Sequence, residues 1–274
     1  MVKSVILIHG LFMSPSSWGP WVKYLTDKGF KVYAPGYPFH EGEAAELRGR
    51  WEKGEGKVVE GYEVEMKLEF PKLTLEQVVE RYVRFIDGLE EKPIAIGHSM
   101  GGLVAQKLLA LDKVAGVVAV SSAAPKGVAC FKWSFIKANL PVVNPLKGDS
   151  LFMPNVEWFN YGFCNNLSRE DAKKLFDQTA VPESRNIPRS STGAQGAVDF
   201  KKAHAPLLFI GGENDHIVPC TLNESNFEAY KDKNSVREMK IFAGRDHSIC
   251  LSQGWEEVAS FICEWLAKVK LVEG

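Results

Sequence analysis

The feature that most constrains the fold of this chain is a serine flanked by glycines between a strand-like and a helix-like segment. Apolar residues at 93–96 precede the sequence GHSMG at 97–101, and helix-forming residues follow at 102–109. This order is typical of a nucleophile elbow, in which the glycines let the strand and the helix approach closely. It predicts that Ser99 lies at the top of a sheet, above the positive end of a helix. The five-residue motif alone is a weak signal, so motifs elsewhere must support it.

Three further motifs end strand-like segments. The apolar run at 2–9 ends in His9-Gly10, the run starting at 206 leads into GGENDHIVP at 211–219, and the run at 236–242 leads into GRDH at 244–247. A nucleophilic serine needs a base, and the base needs a carboxylate that fixes its tautomer. The last two motifs contain both types of group.

Together with the elbow, these motifs resemble the α/β-hydrolase-fold superfamily from the first strand to the last helix, within its serine-triad (esterase- or lipase-like) branch. The resemblance implies an α/β fold with a doubly wound, mainly parallel sheet and a helical cap inserted after the sixth strand, which is predicted at 114–120. It also implies the triad order Ser99, Asp215, His247. The sequence VPESR at 181–185 is similar to a motif in a bacterial and fungal branch of the superfamily and implies no particular reaction.

The resemblance places half of an oxyanion hole after the first strand, at His9-Gly10. Backbone donors are wanted there because they are fixed before the negative charge develops. The amides of Leu11 and Met100 are accordingly predicted as the two donors. Taken alone, His9-Gly10 also fits a strand end with a turn glycine.

The predicted acid and base each have rivals. Glu213 competes with Asp215, but an acid beside a glycine turn is more often solvated. The other position that this fold uses for the acid, at 121–125, contains no carboxylate. Of the six histidines, only His247 falls in a loop between the last strand and the last helix, and Asp246 beside it is interpreted as a loop-stabilising charge.

The chain is predicted to divide into a core at 1–128 and 204–274 and a cap at 129–203. A crossover needs only a dozen or more residues, so the 75 residues of the last segment are far more than a connection requires. The charged segment at 39–70 also interrupts the alternation, and its sequence at 57–68 suggests an exposed hairpin. Three readings stay open for it: a solvated excursion, a contact within a homodimer, or a flap over the site.

The predicted cap is rich in large aromatic side chains: Phe131, Trp133, Phe135, Phe152, Trp158, Phe159, Tyr161, Phe163 and Phe176. Singly, such residues more often form a packing core than contact a ligand. Collectively they predict an apolar vestibule. Substrate contacts are assigned to Phe12, Trp133, Trp158 and Phe159.

Helices are expected between the strands. Apolar spacing predicts them at 18–28, 75–89, 172–178 and 255–270, with Thr74 and Ser168 as N-terminal caps of the second and third.

Composition excludes several classes of partner. The formal net charge of −1 offers no electrostatic reason to expect nucleic acid or an anionic membrane, and no apolar run approaches the roughly 20 residues of a membrane span. A core strand from residue 2 leaves no room for a signal peptide, and five cysteines without a C-x-x-C pair indicate reduced thiols, so a cytoplasmic location is expected. The zinc-peptidase, P-loop and dinucleotide motifs are missing, and neither a cofactor nor a metal is implied.

The sequence therefore predicts a serine hydrolase that cleaves a carboxylic ester, or a related acyl bond, of a small and partly apolar substrate through an acyl-enzyme. Ser99 argues against epoxide hydrolases and haloalkane dehalogenases, which carry an aspartate at the elbow. Other activities of the triad stay open: lactonase, thioesterase, carbon–carbon bond hydrolase, acyltransferase, hydroxynitrile lyase and cofactor-free haloperoxidase. A receptor for a small molecule that retains the triad is a further alternative.

Overall fold

The computed structural model of the protein describes residues 1–52 and 66–273. In chain order its strands are β1 (Ser4–Ile8), β2 (Lys31–Tyr33), β3 (Ile94–His98), β4 (Gly116–Val120), β5 (Leu151–Phe152), β6 (Glu183–Ser184), β7 (Leu207–Gly212) and β8 (Arg237–Phe242). Six of them form one sheet in the order β2-β1-β3-β4-β7-β8, and every pair is parallel. The predicted mainly parallel α/β sheet is confirmed.

Helices cover both faces of this sheet. In chain order they are α1 (Gly19–Asp27), α2 (Ala44–Glu52), α3 (Leu75–Asp87), α4 (Met100–Ala110), α5 (Trp133–Val143), α6 (Val156–Gly162), α7 (Arg169–Thr179), α8 (Asn186–Ser191), α9 (Cys220–Ala229) and α10 (Trp255–Lys268). Successive side chains of a strand point to opposite faces. Val5 and Leu7 of β1 therefore pack with α1 and α10, whereas Ile6 and Ile8 pack with α3 and α4.

The predicted helices are present, with shifted ends. α3 begins after Thr74, whose N–H donates to the Gln77 side chain at 2.9 Å, and it ends two residues before the predicted position. α7 begins earlier than predicted because the Ser168 hydroxyl accepts a hydrogen bond from the Asp171 N–H at 3.1 Å, which caps a helix that starts at Arg169.

The strand expected as the sixth is β4, the fourth strand of the described chain, because only three strands precede it there. The segment at 39–70 contains α2, a helix that the sequence did not suggest. Arg48 of α2 donates to the carbonyl oxygens of Asp177 and Ala180, so this segment packs on the end of α7. The hairpin expected at 57–68 lies largely outside the described residues.

The long insertion between β4 and β7 carries α5 to α8 and the antiparallel pair of β5 and β6. Its apolar side chains form two clusters. One joins Phe159 and Phe163 to Met13, which follows β1, and the other joins Ala138 to Ile217 and neighbouring residues, which follow β7. The insertion therefore lies over the carboxyl edge of the sheet.

Candidate active site

Ser99 sits on a sharp turn between β3 and α4. Its backbone has φ 57° and ψ −122°, a conformation that is costly for a residue with a side chain and persists only where the surroundings fix it. The Ser99 N–H donates to the Val120 carbonyl oxygen at 2.9 Å, and the Ser99 carbonyl oxygen accepts from the Ala123 N–H at 2.9 Å. Two hydrogen bonds, one to the last residue of β4 and one to the loop that follows it, thus hold the turn.

The glycines around the turn are required by close backbone contacts. A Cβ atom at Gly97 would lie 2.1 Å from the Gly101 carbonyl oxygen, and one at Gly101 would lie 2.2 Å from that of Ile8. A Cβ atom at Gly10 would lie 2.8 Å from the Ser99 Cβ. The turn after β1 is therefore packed directly against the serine.

Asp215 and His247 follow the neighbouring strands β7 and β8, and their side chains meet. His247 Nδ1 lies 2.7 Å from Asp215 Oδ2, and both side chains are completely buried. The other carboxylate oxygen of Asp215 accepts from the N–H groups of Ile217 and Val218, at 2.9 and 2.7 Å. With three donors around it, the carboxylate holds the proton of His247 on Nδ1. Nε2 is left with no hydrogen-bond partner among the described residues.

The rival acids have other partners. Asp246 accepts hydrogen bonds from the N–H and the hydroxyl of Ser248, at 3.0 and 2.6 Å. Glu213 accepts from the N–H of Gly244 at 2.9 Å. Both carboxylates therefore brace the loops around His247 instead of contacting its ring.

Ser99 and His247 line one cavity of about 320 Å³, a volume suited to a small molecule. The insertion supplies one wall and the segment after β7 supplies another. Most of the lining is apolar: Leu11, Phe12, Met100, Phe135, Val142, Val143, Phe163, Pro188, Ile217, Val218 and Leu222. A ligand with apolar groups fits this surface.

Of the four residues predicted to contact substrate, only Phe12 lines the cavity. Trp133 is absent from the lining and is 71% exposed. Trp158 packs edge-on against Phe12, and its indole N–H donates to the Ala138 carbonyl oxygen at 2.9 Å. Phe159 is fully buried in the insertion's own core. Trp158 thus supports the cavity wall, Phe159 packs in the core of the insertion, and Trp133 faces solvent. The packing of the helices sets the direction of each side chain.

The aromatic side chains of the insertion that do reach the cavity are Phe135 and Phe163. The assignment from sequence missed both. A usable signal existed for α5, because residues 135, 139, 142 and 143, all in the lining, have the spacing of one helix face. Without the fold, nothing in the sequence indicated which face of α5 is turned toward Ser99.

The predicted oxyanion donors also border the cavity. Leu11 and Met100 both line it beside Ser99. Met100 is the first residue of α4, so its N–H has no partner within the helix. The turn that carries Leu11 is held in part by Phe12, whose carbonyl oxygen accepts from the Val181 N–H at 3.0 Å.

Two buried histidines support these turns as neutral groups. His9 Nε2 accepts from the Tyr37 N–H at 3.1 Å while Nδ1 bonds the Gly10 carbonyl oxygen, and burial lowers the pKa of His9 to about 3. Burial also lowers the pKa of His98 well below its ordinary value, and its Nε2 donates to the His247 carbonyl oxygen at 2.9 Å. His98 thereby anchors the loop that carries the candidate base.

Residues 181–185 connect the insertion to the segment that follows β2 and also hold one of its own helices. Glu183 forms a buried ion pair with His40, 3.1 Å between Oε2 and Nε2. Burial lowers the pKa of His40, but the facing carboxylate outweighs this effect and leaves the pKa raised. Arg185 donates to the carbonyl oxygens of Pro141 and Val142 and so holds the end of α5.

The described part of the chain lacks two other features. It holds no cluster of three or more His, Cys, Asp or Glu side chains placed to bind a metal ion. None of its helices combines the length and the apolar character needed to cross a membrane.

Comparison with known proteins agrees with this architecture. The profile of the Alpha/beta hydrolase family matches residues 5–261, and the chain belongs to this family. No curated protein matches the sequence significantly.

Solved structures with a similar fold include a monoacylglycerol lipase from Paleococcus ferrophilus, 23% identical, with a TM-score of 0.66 over 98% of this chain and 96% of that one. A pyrethroid hydrolase from Sphingobium faniae is 17% identical, with a TM-score of 0.64 over 97% of each chain. A methylesterase from Arabidopsis is 13% identical, with a TM-score of 0.63 over 96% of this chain and 99% of that one.

Proposed function

We propose that this protein is a serine hydrolase that cleaves a carboxylic ester, or a related acyl bond, of a small and partly apolar substrate. One observation carries the proposal: a buried Asp215–His247 pair leaves Nε2 of His247 unpartnered among the described residues, and His247 shares its cavity with Ser99. A base held in this tautomer can take the proton of a serine hydroxyl. Hydrogen bonds between nucleophile and base are often long without substrate and shorten when it binds.

In the proposed reaction, Ser99 Oγ attacks the ester carbonyl carbon while His247 Nε2 takes the hydroxyl proton. Asp215 stabilises the imidazolium that forms, and the N–H groups of Leu11 and Met100 donate to the oxyanion. The intermediate collapses, His247 returns the proton to the leaving alcohol, and an acyl-enzyme remains. Water then attacks the acyl group with His247 as base, which releases the acid and regenerates the serine.

The insertion at 129–203 acts in this proposal as a cap over a core made of 1–128 and 204–274. Two observations support that role. Phe135, Val142 and Val143 of α5 form one wall of the cavity, and the insertion packs on residues that follow β1 and β7. The substrate must therefore fit between the cap and the triad. The lipase, pyrethroid hydrolase and methylesterase with similar folds also support an ester as substrate.

The test of this function is a series of p-nitrophenyl esters from acetate to laurate, assayed with the full chain. We expect steady turnover in which the phenol released far exceeds the protein present, with kcat/KM dependent on acyl length. Release of a single equivalent, followed by a stable modified protein, would instead identify a receptor that retains the triad.

The cavity wall leads to a prediction about chain-length preference. Phe135→Ala removes apolar surface from the lining, and each Å² of contact is worth about 25 cal/mol. We expect the octanoate-to-acetate ratio of kcat/KM to fall about tenfold, which corresponds to about 1.4 kcal/mol. The measurement is the ratio across the ester series, with Tm recorded for each variant.

Phe159→Ala is the matched control, because Phe159 is fully buried in the core of the insertion and does not line the cavity. Loss of a buried phenylalanine costs about 3–5 kcal/mol of stability, so Tm should fall clearly. The chain-length ratio should stay at the parental value. A change of ratio in the Phe159 variant but not in the Phe135 variant contradicts the proposed lining.

A further inference from the structure

The outer side of the insertion carries a concentration of exposed apolar side chains, which we call the outer patch. Its members are Phe131 (88% exposed), Trp133 (71%), Ile136 (38%), Leu140 (60%) and Leu146 (91%). Elsewhere in the described chain, exposed large apolar side chains are scattered, as at Leu111 and Val236. Single exposed apolar residues need no explanation, whereas a contiguous group marks an interaction surface.

Helix α5 carries apolar side chains over a wide arc, part of which faces the cavity and part of which is exposed. Phe135, Val142 and Val143 face inward and line the cavity. Trp133, Ile136 and Leu140 recur at the spacing of one turn and two turns and remain exposed. A surface helix normally carries polar side chains on the part that is turned away from the core. The outer face of α5 therefore lacks a covering within the described chain.

The segment that carries the outer patch is basic, and the first acidic residue after it is Asp149. Residues 126–148 contain four lysines and no Asp, Glu or Arg, although the whole chain has a net charge of −1. Lys126, Lys132 and Lys147 are exposed and form no ion pair with the described residues. The overall charge thus conceals a basic segment, the same one that carries the exposed apolar side chains.

We propose that the outer patch docks on an anionic lipid surface. Helices that lie in a membrane interface combine Trp, Phe and Leu on one side with lysines that reach the headgroups. Phe131, Trp133 and Leu140 would enter the boundary of the acyl chains, and Lys132 and Lys147 would meet the phosphates. This contact is peripheral and needs no helix that spans the membrane.

The charge pattern favours a lipid surface over a second copy of the chain. A twofold contact places the same patch on both subunits, so the lysines of one copy would face those of the other. Anionic headgroups instead complement every charge in the segment. The proposal does not depend on the proposed hydrolysis, because docking involves the outer face of α5 and not the triad.

The test is sedimentation of the full chain with vesicles, carried out in the Ser99→Ala background so that no ester is consumed. Vesicles of phosphatidylcholine with phosphatidylglycerol are compared with vesicles of phosphatidylcholine alone. We expect binding to the anionic vesicles, weakened by salt and at least tenfold weaker on the neutral ones. Brominated lipids should quench a component of tryptophan fluorescence that Trp133→Phe removes.

The double variant Leu140→Ser/Leu146→Ser should bind anionic vesicles at least tenfold more weakly while keeping the parental Tm. Its matched control is Leu111→Ser/Val236→Ser, because Leu111 and Val236 precede β4 and β8 and so lie at the opposite edge of the sheet. The control should bind like the parent.

Equal binding by the two double variants would overturn the proposal, as would failure of the parent to bind anionic vesicles. Sedimentation velocity tests the alternative that the patch joins two copies of the chain. A parent that forms a dimer and does not bind vesicles, and a Leu140→Ser/Leu146→Ser variant that is a monomer, would show that this alternative is correct. If the chain binds anionic vesicles but does not hydrolyse esters, the result counts against the proposed function only.

Discussion

Ser99→Ala is expected to abolish covalent labelling by an organophosphonate probe and to lower kcat for ester hydrolysis by about 10⁶-fold, the magnitude known for loss of a triad serine. The alanine keeps the two backbone hydrogen bonds that hold the turn, at 2.9 Å each, so the variant should fold. The measurements are mass spectrometry of the labelled protein and kcat for the p-nitrophenyl esters.

Ser191→Ala provides the matched control for labelling. Ser191 also lines the cavity, but its hydroxyl already donates to the Pro188 carbonyl oxygen at 2.8 Å. This variant should keep one label per chain at Ser99. A label that persists in the Ser99 variant at another serine would refute the assignment of the nucleophile.

Asp215→Asn is expected to lower kcat by about 10⁴-fold, because it reverses the tautomer of the base. An asparagine can still accept from the N–H groups of Ile217 and Val218, but it presents its NH₂ group to His247 Nδ1. Nδ1 must then be the acceptor, and the proton moves to Nε2, which can no longer take one from Ser99. Steady-state kinetics together with Tm measure the effect.

Asp246→Asn distinguishes the two neighbouring acids. Its carboxylate accepts from Ser248 and from the Asn166 N–H, so the substitution should lower Tm. We expect kcat to stay within about tenfold of the parent, since Asp246 does not contact the His247 ring. A large loss of kcat in the Asp246 variant, with a small loss in the Asp215 variant, would show that Asp246 and not Asp215 is the acid of the triad.

The features that could be predicted from sequence are those carried by local pattern. An apolar run, GHSMG and a helix-forming run predict the elbow, because close backbone contacts exclude any side chain at Gly97 and Gly101. The resemblance to the α/β-hydrolase fold predicted that the turns after β1, β3, β7 and β8 would meet, and in the structure these parallel strands end at the same edge of the sheet. The buried contact between Asp215 and His247 follows from that topology.

The cavity lining could not be predicted in the same way. Trp133, Trp158 and Phe159 have the composition of a binding surface, yet the packing of α5 and α6 turns them to solvent or into the core of the insertion. Phe135, two residues from Trp133 on the same helix, lines the cavity instead. Residues two apart on a helix point to different faces, and only the packing of the helix decides which face is inside.

Net charge describes the whole chain and not a single segment. It is −1 overall, whereas residues 126–148, which carry the outer patch, contain four lysines and no Asp, Glu or Arg. The sequence by itself determined the parallel α/β sheet, because strand-like and helix-like segments alternate along the chain, and its motifs marked the turns that follow the strands. The tertiary structure decided which side chains face the cavity, the core or the solvent, because that choice depends on contacts between segments far apart in the chain.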